Sequence, residues 1–139
     1  MHKDLEKIIT FIKKHHVMSL ATADGEDVSV CSLFYAYDMK KSCFVVASND
    51  DTLHVKHVLK NPVIAGNILL ETDEIGKIQG LQFRGNMTQL ANRSLQKLYF
   101  KTFPYAVAMT PKLWQIEVNY FKLTDNRLGF GKKIIYPPV

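Results

Sequence analysis

Two hydrophobic periods alternate along the chain. Over residues 2–16, Leu5, Ile8, Ile9 and Ile12 recur at helical spacing. Asp4 and Glu6 come early and Lys13 and Lys14 late, the charge order the helix dipole favours. This predicts an amphipathic helix laid on one face of a core. From residue 17 the period drops to two. Segments 17–23 and 28–37 read as strands joined through Asp24-Gly25, a tight-turn pair between apolar runs. In the second segment Val28, Val30, Ser32, Phe34 and Ala36 share one face, while Cys31, Leu33, Tyr35 and Tyr37 share the other. Large groups on both faces predict a strand covered on both sides.

A turn at 38–42 leads into a third strand at 43–48. Residues 49–62 then read as a short helix with Leu53, Val55, Val58 and Leu59 as apolar contacts, Asn49, Asp50 or Asp51 as cap, and Pro62 as stop. Strands at 63–71 and 77–90 follow, parted by a turn at 72–76. The second alternates clearly, with Leu81, Phe83 and Met87 facing one way and Gln82, Arg84, Asn86 and Thr88 the other. A third helix within 91–104 carries Leu95, Leu98 and Tyr99, and a last strand at 113–126 carries Trp114, Ile116 and Val118. Six strands and about three short helices, without regular β-α alternation, predict a mainly β (α+β) fold. The expected form is an antiparallel sheet closed or half-closed into a barrel, with helices at its ends and sides.

Composition narrows the class. The 139 residues suit one domain, 1–139, and 47 % hydrophobic with 22 % charged residues excludes a disordered chain. No apolar run reaches the roughly 20 residues a membrane helix needs, and the charged 1–16 segment lacks a secretory pattern, so a cytoplasmic protein is expected. Cys31 and Cys43 lack disulfide-scaffold or metal-site spacing. The net charge of +5 is spread over pairs such as Lys13–Lys14, Lys40–Lys41 and Lys132–Lys133. That pattern disfavours nucleic acid and leaves phosphorylated small molecules as the natural anionic partners.

The chain shows no Walker loop, dinucleotide fingerprint, nucleophile elbow or CxxC, and no catalytic residue stands out. His54 and His57 lie three apart on a helix, but no nearby Cys, Asp or Glu completes a ligand set. They read as ordinary surface residues, and no metal is assigned. Cys31 reads as a small core residue. Trp114 has two readings, core packing or stacking on a planar ligand. The junction "ASNDDTLHVKH" is richer: a helix start offers free N–H groups to a phosphate, beside Ser48, Thr52, His54 and Lys56. Asp50 and Asp51 oppose an anion there. The closing "GFGKK" pairs two flexible glycines with Lys132 and Lys133, a second arrangement suited to an anion.

With these residues in view, the chain resembles the FMN-binding split β-barrel superfamily typified by pyridoxamine 5′-phosphate oxidase. It is most similar to a small bacterial subgroup called YhbP-like. The resemblance rests on "GLQFRG" at 80–85 and "LTDNRLGFGKK" at 123–133, with support from "LFYAYD" at 33–38 and "FVVASNDDTLH" followed by "VIAG". It implies a six-stranded antiparallel split barrel, a homodimer, and FMN held by residues of both chains. Phe34 and Tyr35 are the implied contacts along the flavin, and Ser48, Asn49, Thr52 and His54 the implied phosphate site. Gln82, Arg84, Lys132 and Lys133 are further candidates, and Trp114 a stacking one. Relatives often carry a Lys or Arg where His54 stands, and an Arg on the second strand that this chain lacks. The implied activity is an FMN-dependent redox step with an unidentified small-molecule substrate, or NAD(P)H as donor. The alternatives are a non-catalytic flavin-binding or sensor module, a haem-binding split barrel, or a deazaflavin in place of FMN.

Overall fold

The computed structural model describes residues 3–138. Helix α1 (Lys3–Lys14) precedes a long hairpin of β1 (Val17–Asp24) and β2 (Asp27–Asp38). Gly25, at φ +60°, makes the tight turn between them. Then come β3 (Cys43–Ala47), helix α2 (Leu53–Lys60), β4 (Val63–Leu70), β5 (Gln79–Gln89), helix α3 (Arg93–Thr102), β6 (Leu113–Asp125) and β7 (Lys133–Tyr136). Among the described residues no helix is long and apolar enough to cross a membrane.

The strands run in the order β3-β2-β1-β4-β5-β6-β7, all neighbours antiparallel, and β3 also pairs with β6. That extra pairing closes six strands into a barrel. The long strand β6 divides its free edge, residues 113–117 pairing with β3 and 121–124 with β7. The fold is therefore a mainly antiparallel β barrel of the split type. Among the described residues it has seven strands where the alternation predicts six. The tail run Ile134-Ile135-Tyr136 adds the seventh, because Ile134 finds Leu123 across the ladder and buries there.

Two apolar clusters hold the sheet. Inside the barrel, Leu20, Phe44, Ile68, Leu81, Phe83, Met87, Trp114 and Ile116 pack together, and α1 closes one side through Ile8, Phe11 and Ile12. Outside, α3 lays Leu95 and Tyr99 over Ala36, Cys43, Val45 and Leu113. Burial raises the Cys31 thiol, and pushes that of Cys43 up to about 11, so neither is primed as a nucleophile.

Three expectations need correction. Strand β2 is not covered on both sides along its length. The α3 helix reaches Ala36, and beyond it Val28, Val30 and Phe34 are 66 %, 70 % and 58 % exposed. The cap of α2 is Thr52 rather than Asn49, Asp50 or Asp51. Its Oγ1 accepts from the Val55 N–H, while Asp50 is drawn aside by Lys112 at 2.9 Å. His57 is not a surface residue but is 2 % exposed, on the inner face of α2 with Val55 and Val58.

Candidate functional site

Strand β3 ends and α2 begins within a few residues, so the junction gathers polar groups that are neighbours in sequence. Ser48 is buried, with its carbonyl accepting from Trp114 Nε1 at 3.0 Å. Its Oγ lies 2.7 Å from His54 Nε2, and Thr52 Oγ1 lies 3.4 Å from the same nitrogen. Thr52 also donates to the Asn49 carbonyl at 2.8 Å. Ser48, Asn49, Thr52 and His54 thus form one small cluster at the start of a helix, where N–H groups point outward. Burial, then the nearby His57, lowers the His54 pKa, so its imidazole is neutral at neutral pH. An anion here would be held by hydrogen bonds rather than by a formal cation. The Lys112 pair neutralises Asp50, one of the two carboxylates that would oppose such a ligand.

A second locus lies on the outer face of the barrel. Strand alternation turns Ser19 and Ala21 of β1, Val30 of β2, Ala65 and Asn67 of β4, and Gln82 and Arg84 of β5 outward, where they line a groove of about 380 Å³. Ala21 faces Val30 and Ala65 across the ladders, so the floor is flat and apolar. Arg84 pairs with Tyr120 and sets its guanidinium 4.9 Å from the ring centroid. A bulge secures that pairing, since the register shifts between Arg84 and Gly85 and leaves Asn119 as the extra residue of β6. Gly85 is required there: a Cβ would sit 2.0 Å from the Glu117 carbonyl oxygen.

The remaining candidates divide. Phe34 is exposed, edge-on to Phe103 at 5.7 Å between centroids. Tyr35, next to it, points inward and donates its hydroxyl hydrogen to the Ile12 carbonyl oxygen at 2.5 Å. Trp114 is sealed in the core, leaving its ring no open face for a planar ligand. Lys132 ends the turn into β7 and Lys133 begins that strand. Gly129 and Gly131 adopt φ of +137° and +73° in the turn. Asn126 orders this turn, accepting from the Gly131 N–H at 2.9 Å and donating to the Ile75 carbonyl at 2.8 Å. These ties hold the lysine turn against the β4–β5 connection.

Sequence reasoning missed a relay behind the junction, buried at Thr22 and His57 and open to solvent at Asp27. His57 Nε2 lies 2.8 Å from Asp27 Oδ2, and its Nδ1 lies 2.8 Å from Thr22 Oγ1, which is 2.9 Å from Ser29 Oγ. A carboxylate only accepts, so Nε2 carries the hydrogen; in the neutral ring Nδ1 then accepts from the Thr22 hydroxyl. The relay pins α2 to the β1–β2 hairpin. The signal in the sequence was slight, a Thr at an inward strand position. Among the described residues no group of three His, Cys, Asp or Glu is placed to hold a metal.

No protein-family profile matches the chain. Solved structures share its architecture at low identity. A heme binding protein from Mycobacterium smegmatis superposes with a TM-score of 0.78 at 14 % identity, over 97 % of this chain and 58 % of the other. A candidate pyridoxamine 5′-phosphate oxidase from Listeria innocua gives 0.69 at 14 %, over 86 % and 96 %. A FAD-binding protein from Mesorhizobium loti gives 0.71 at 14 %, over 85 % and 90 %. In sequence, a UPF0306 protein of Photorhabdus laumondii is 32 % identical over 137 residues, 96 % of each chain. By that relationship the chain belongs to the UPF0306 family, and its fold is that of the pyridoxamine 5′-phosphate oxidase-like split barrels.

Proposed function

We propose that this protein is an FMN-binding flavoprotein, working as a homodimer and carrying out a redox step on the bound flavin. The observation that carries the reading is the outer groove. Its floor of Ala21, Val30 and Ala65 is flat and apolar, and Asn67, Gln82 and Arg84 converge at its rim, the usual chemistry of a site for a planar polar-edged ligand. The neighbouring FAD-binding fold supports it. Gln82 and Arg84 would offer donors to the ring system, while Ser48, Asn49, Thr52 and His54 would hold the phosphate. When bound, FMN supplies the electron chemistry, and the protein's part is to bind and orient it. Phe34 belongs to the exposed apolar face of β2, which also carries Val28 and Val30. Tyr105, Val107 and Met109, just beyond α3, are exposed as well, and exposed apolar groups of this kind suit an interaction surface. A second copy of the chain is the proposed cover.

The purified protein should be yellow, or take up FMN stoichiometrically, and NADH or NADPH should bleach the flavin band. It should run as a dimer in light scattering, and Val30→Glu should make it a monomer. A colourless protein that ignores FMN overturns the cofactor assignment. A wild-type monomer overturns the assembly. Haem is the second reading, supported by the heme binding protein of the same fold. A Soret shift on adding haemin would select it. Flavin is favoured because the groove that carries the reading is lined by hydrogen-bonding Asn67, Gln82 and Arg84 and by no histidine among the described residues.

A further inference from the structure

The most distinctive stretch of the sequence, "LTDNRLGFGKK", is largely outside the flavin reading. Its first half builds one wall of a different groove, of about 450 Å³, between α1 and the end of β6. We propose that this groove is a second binding site, for a small molecule that joins an apolar ring or chain to a carboxylate or phosphate.

The floor is apolar, made by the buried Phe11 and Leu123. The rim is cationic. Lys3, Lys7 and Lys14 lie along one stripe of α1, and Arg127 faces the groove from the other wall. Among the described lining residues these four cations stand against two carboxylates, Glu6 and Asp125, and Asp125 is already committed. It is 4 % exposed, and it accepts from Arg127 Nε at 3.0 Å, from Nη2 at 2.9 Å and from the backbone N–H at 3.0 Å. Gln79 Oε1 accepts a further bond from Nη2 at 3.2 Å.

A buried carboxylate behind an arginine sets the guanidinium plane before any ligand arrives. That lowers the ordering cost of binding, and the geometry leaves Nη1 without a partner among the described residues. Guanidinium groups fixed in this way suit carboxylate and phosphate, because the planar donor fork matches both. A turn that needed only a cap would be served by Asp125 accepting from the Arg127 backbone. The second and third bonds orient a side chain whose head is otherwise in solvent. The groove's volume suits one ring with an anionic head.

The test is a ¹⁵N-HSQC titration of the full chain with phenyl phosphate, benzoate and benzyl alcohol. The two anions separate phosphate from carboxylate, and the alcohol carries the ring without charge. Saturable shifts with a Kd at or below about 1 mM are expected for at least one anion. They should centre on the amides of Lys7, Thr10, Lys14, Leu123 and Arg127. Replacing both Lys7 and Lys14 by Gln should weaken binding about tenfold without disturbing the rest of the spectrum. Arg127→Lys, which keeps a cation beside Asp125, should weaken it by a similar factor. The proposal is overturned by no saturable shift, by equal shifts from benzyl alcohol, by shifts centred on Arg84, or by full affinity in the double lysine variant. FMN is not involved in the readout, so failure here and failure of the flavin reading are separate results.

Discussion

Helix α2 carries two histidines one turn apart with opposite fates. His57 lies under the helix, bonded at both ring nitrogens, to Thr22 and to Asp27. His54 lies at the helix start, half-buried, and its neighbours are the hydroxyls of Ser48 and Thr52. The first is fully satisfied inside the fold, so its work is to hold α2 on the β1–β2 hairpin. The second meets the Ser48 hydroxyl most closely, a group that can turn toward a ligand at the helix start. The same side chain thus anchors the scaffold at one position and equips the candidate site at the other. What separates them is which face of the helix meets the sheet.

The sharpest way to break this contrast is His57→Ala. It removes one partner of the buried Thr22 hydroxyl, which keeps Ser29, returns the exposed Asp27 to solvent and opens a void under α2, and should cost about 2 kcal/mol in a urea unfolding series. An undiminished midpoint would show that the relay anchors nothing. Next in size is His54→Arg, which puts a permanent cation where the neutral imidazole stands. FMN should bind about tenfold more tightly in a fluorescence titration, with little change in stability. Unchanged affinity would remove position 54 from the phosphate site. Thr52→Ala deletes the helix cap and should cost about 1 kcal/mol, measured by the same urea series.

The smallest effect is in pH. The folded-state pKa of His54 is lowered, chiefly by burial, so the unfolded chain takes up the proton first as pH falls. In that window the unfolded state binds more protons, and stability declines as pH drops below the ordinary histidine value, then levels off below the folded pKa. The pKa of His15 is lowered too, again mainly by burial, and acts in the same direction. His54→Gln should therefore lose less thermal stability than wild type between about pH 8 and about pH 5. Identical pH profiles would mean that His54 titrates alike in both states.

Much of the architecture was legible because strand alternation and turn chemistry are local. The outward Gln82 and Arg84 and inward Leu81, Phe83 and Met87 follow from a period of two. The Ser48–His54 cluster was legible for a similar reason: its members are close in sequence, at a strand-to-helix junction. The Thr22–His57–Asp27 relay was not, because its partners lie 35 and 30 residues from His57 and meet only when α2 docks. The seventh strand was missed because four residues carry too little periodicity to stand out. The resemblance implies both Tyr35 and Phe34 as flavin contacts, although strand alternation already sets them on opposite faces. In the fold one lies in the core and the other on the surface, since adjacent strand residues point to opposite faces.

The sequence alone determined the order of the three helices and the first six strands, the barrel class and the polar junction, all of which depend on short-range periodicity and side-chain chemistry. Only the tertiary structure decided which apolar residues stay uncovered. Val28 and Val30 are as hydrophobic as Val45, yet α3 covers Val45 and stops short of them. Tertiary structure also decided that Asp125 stands behind Arg127 at the α1 groove. Cover and orientation depend on where distant elements come to rest, and no local pattern encodes that.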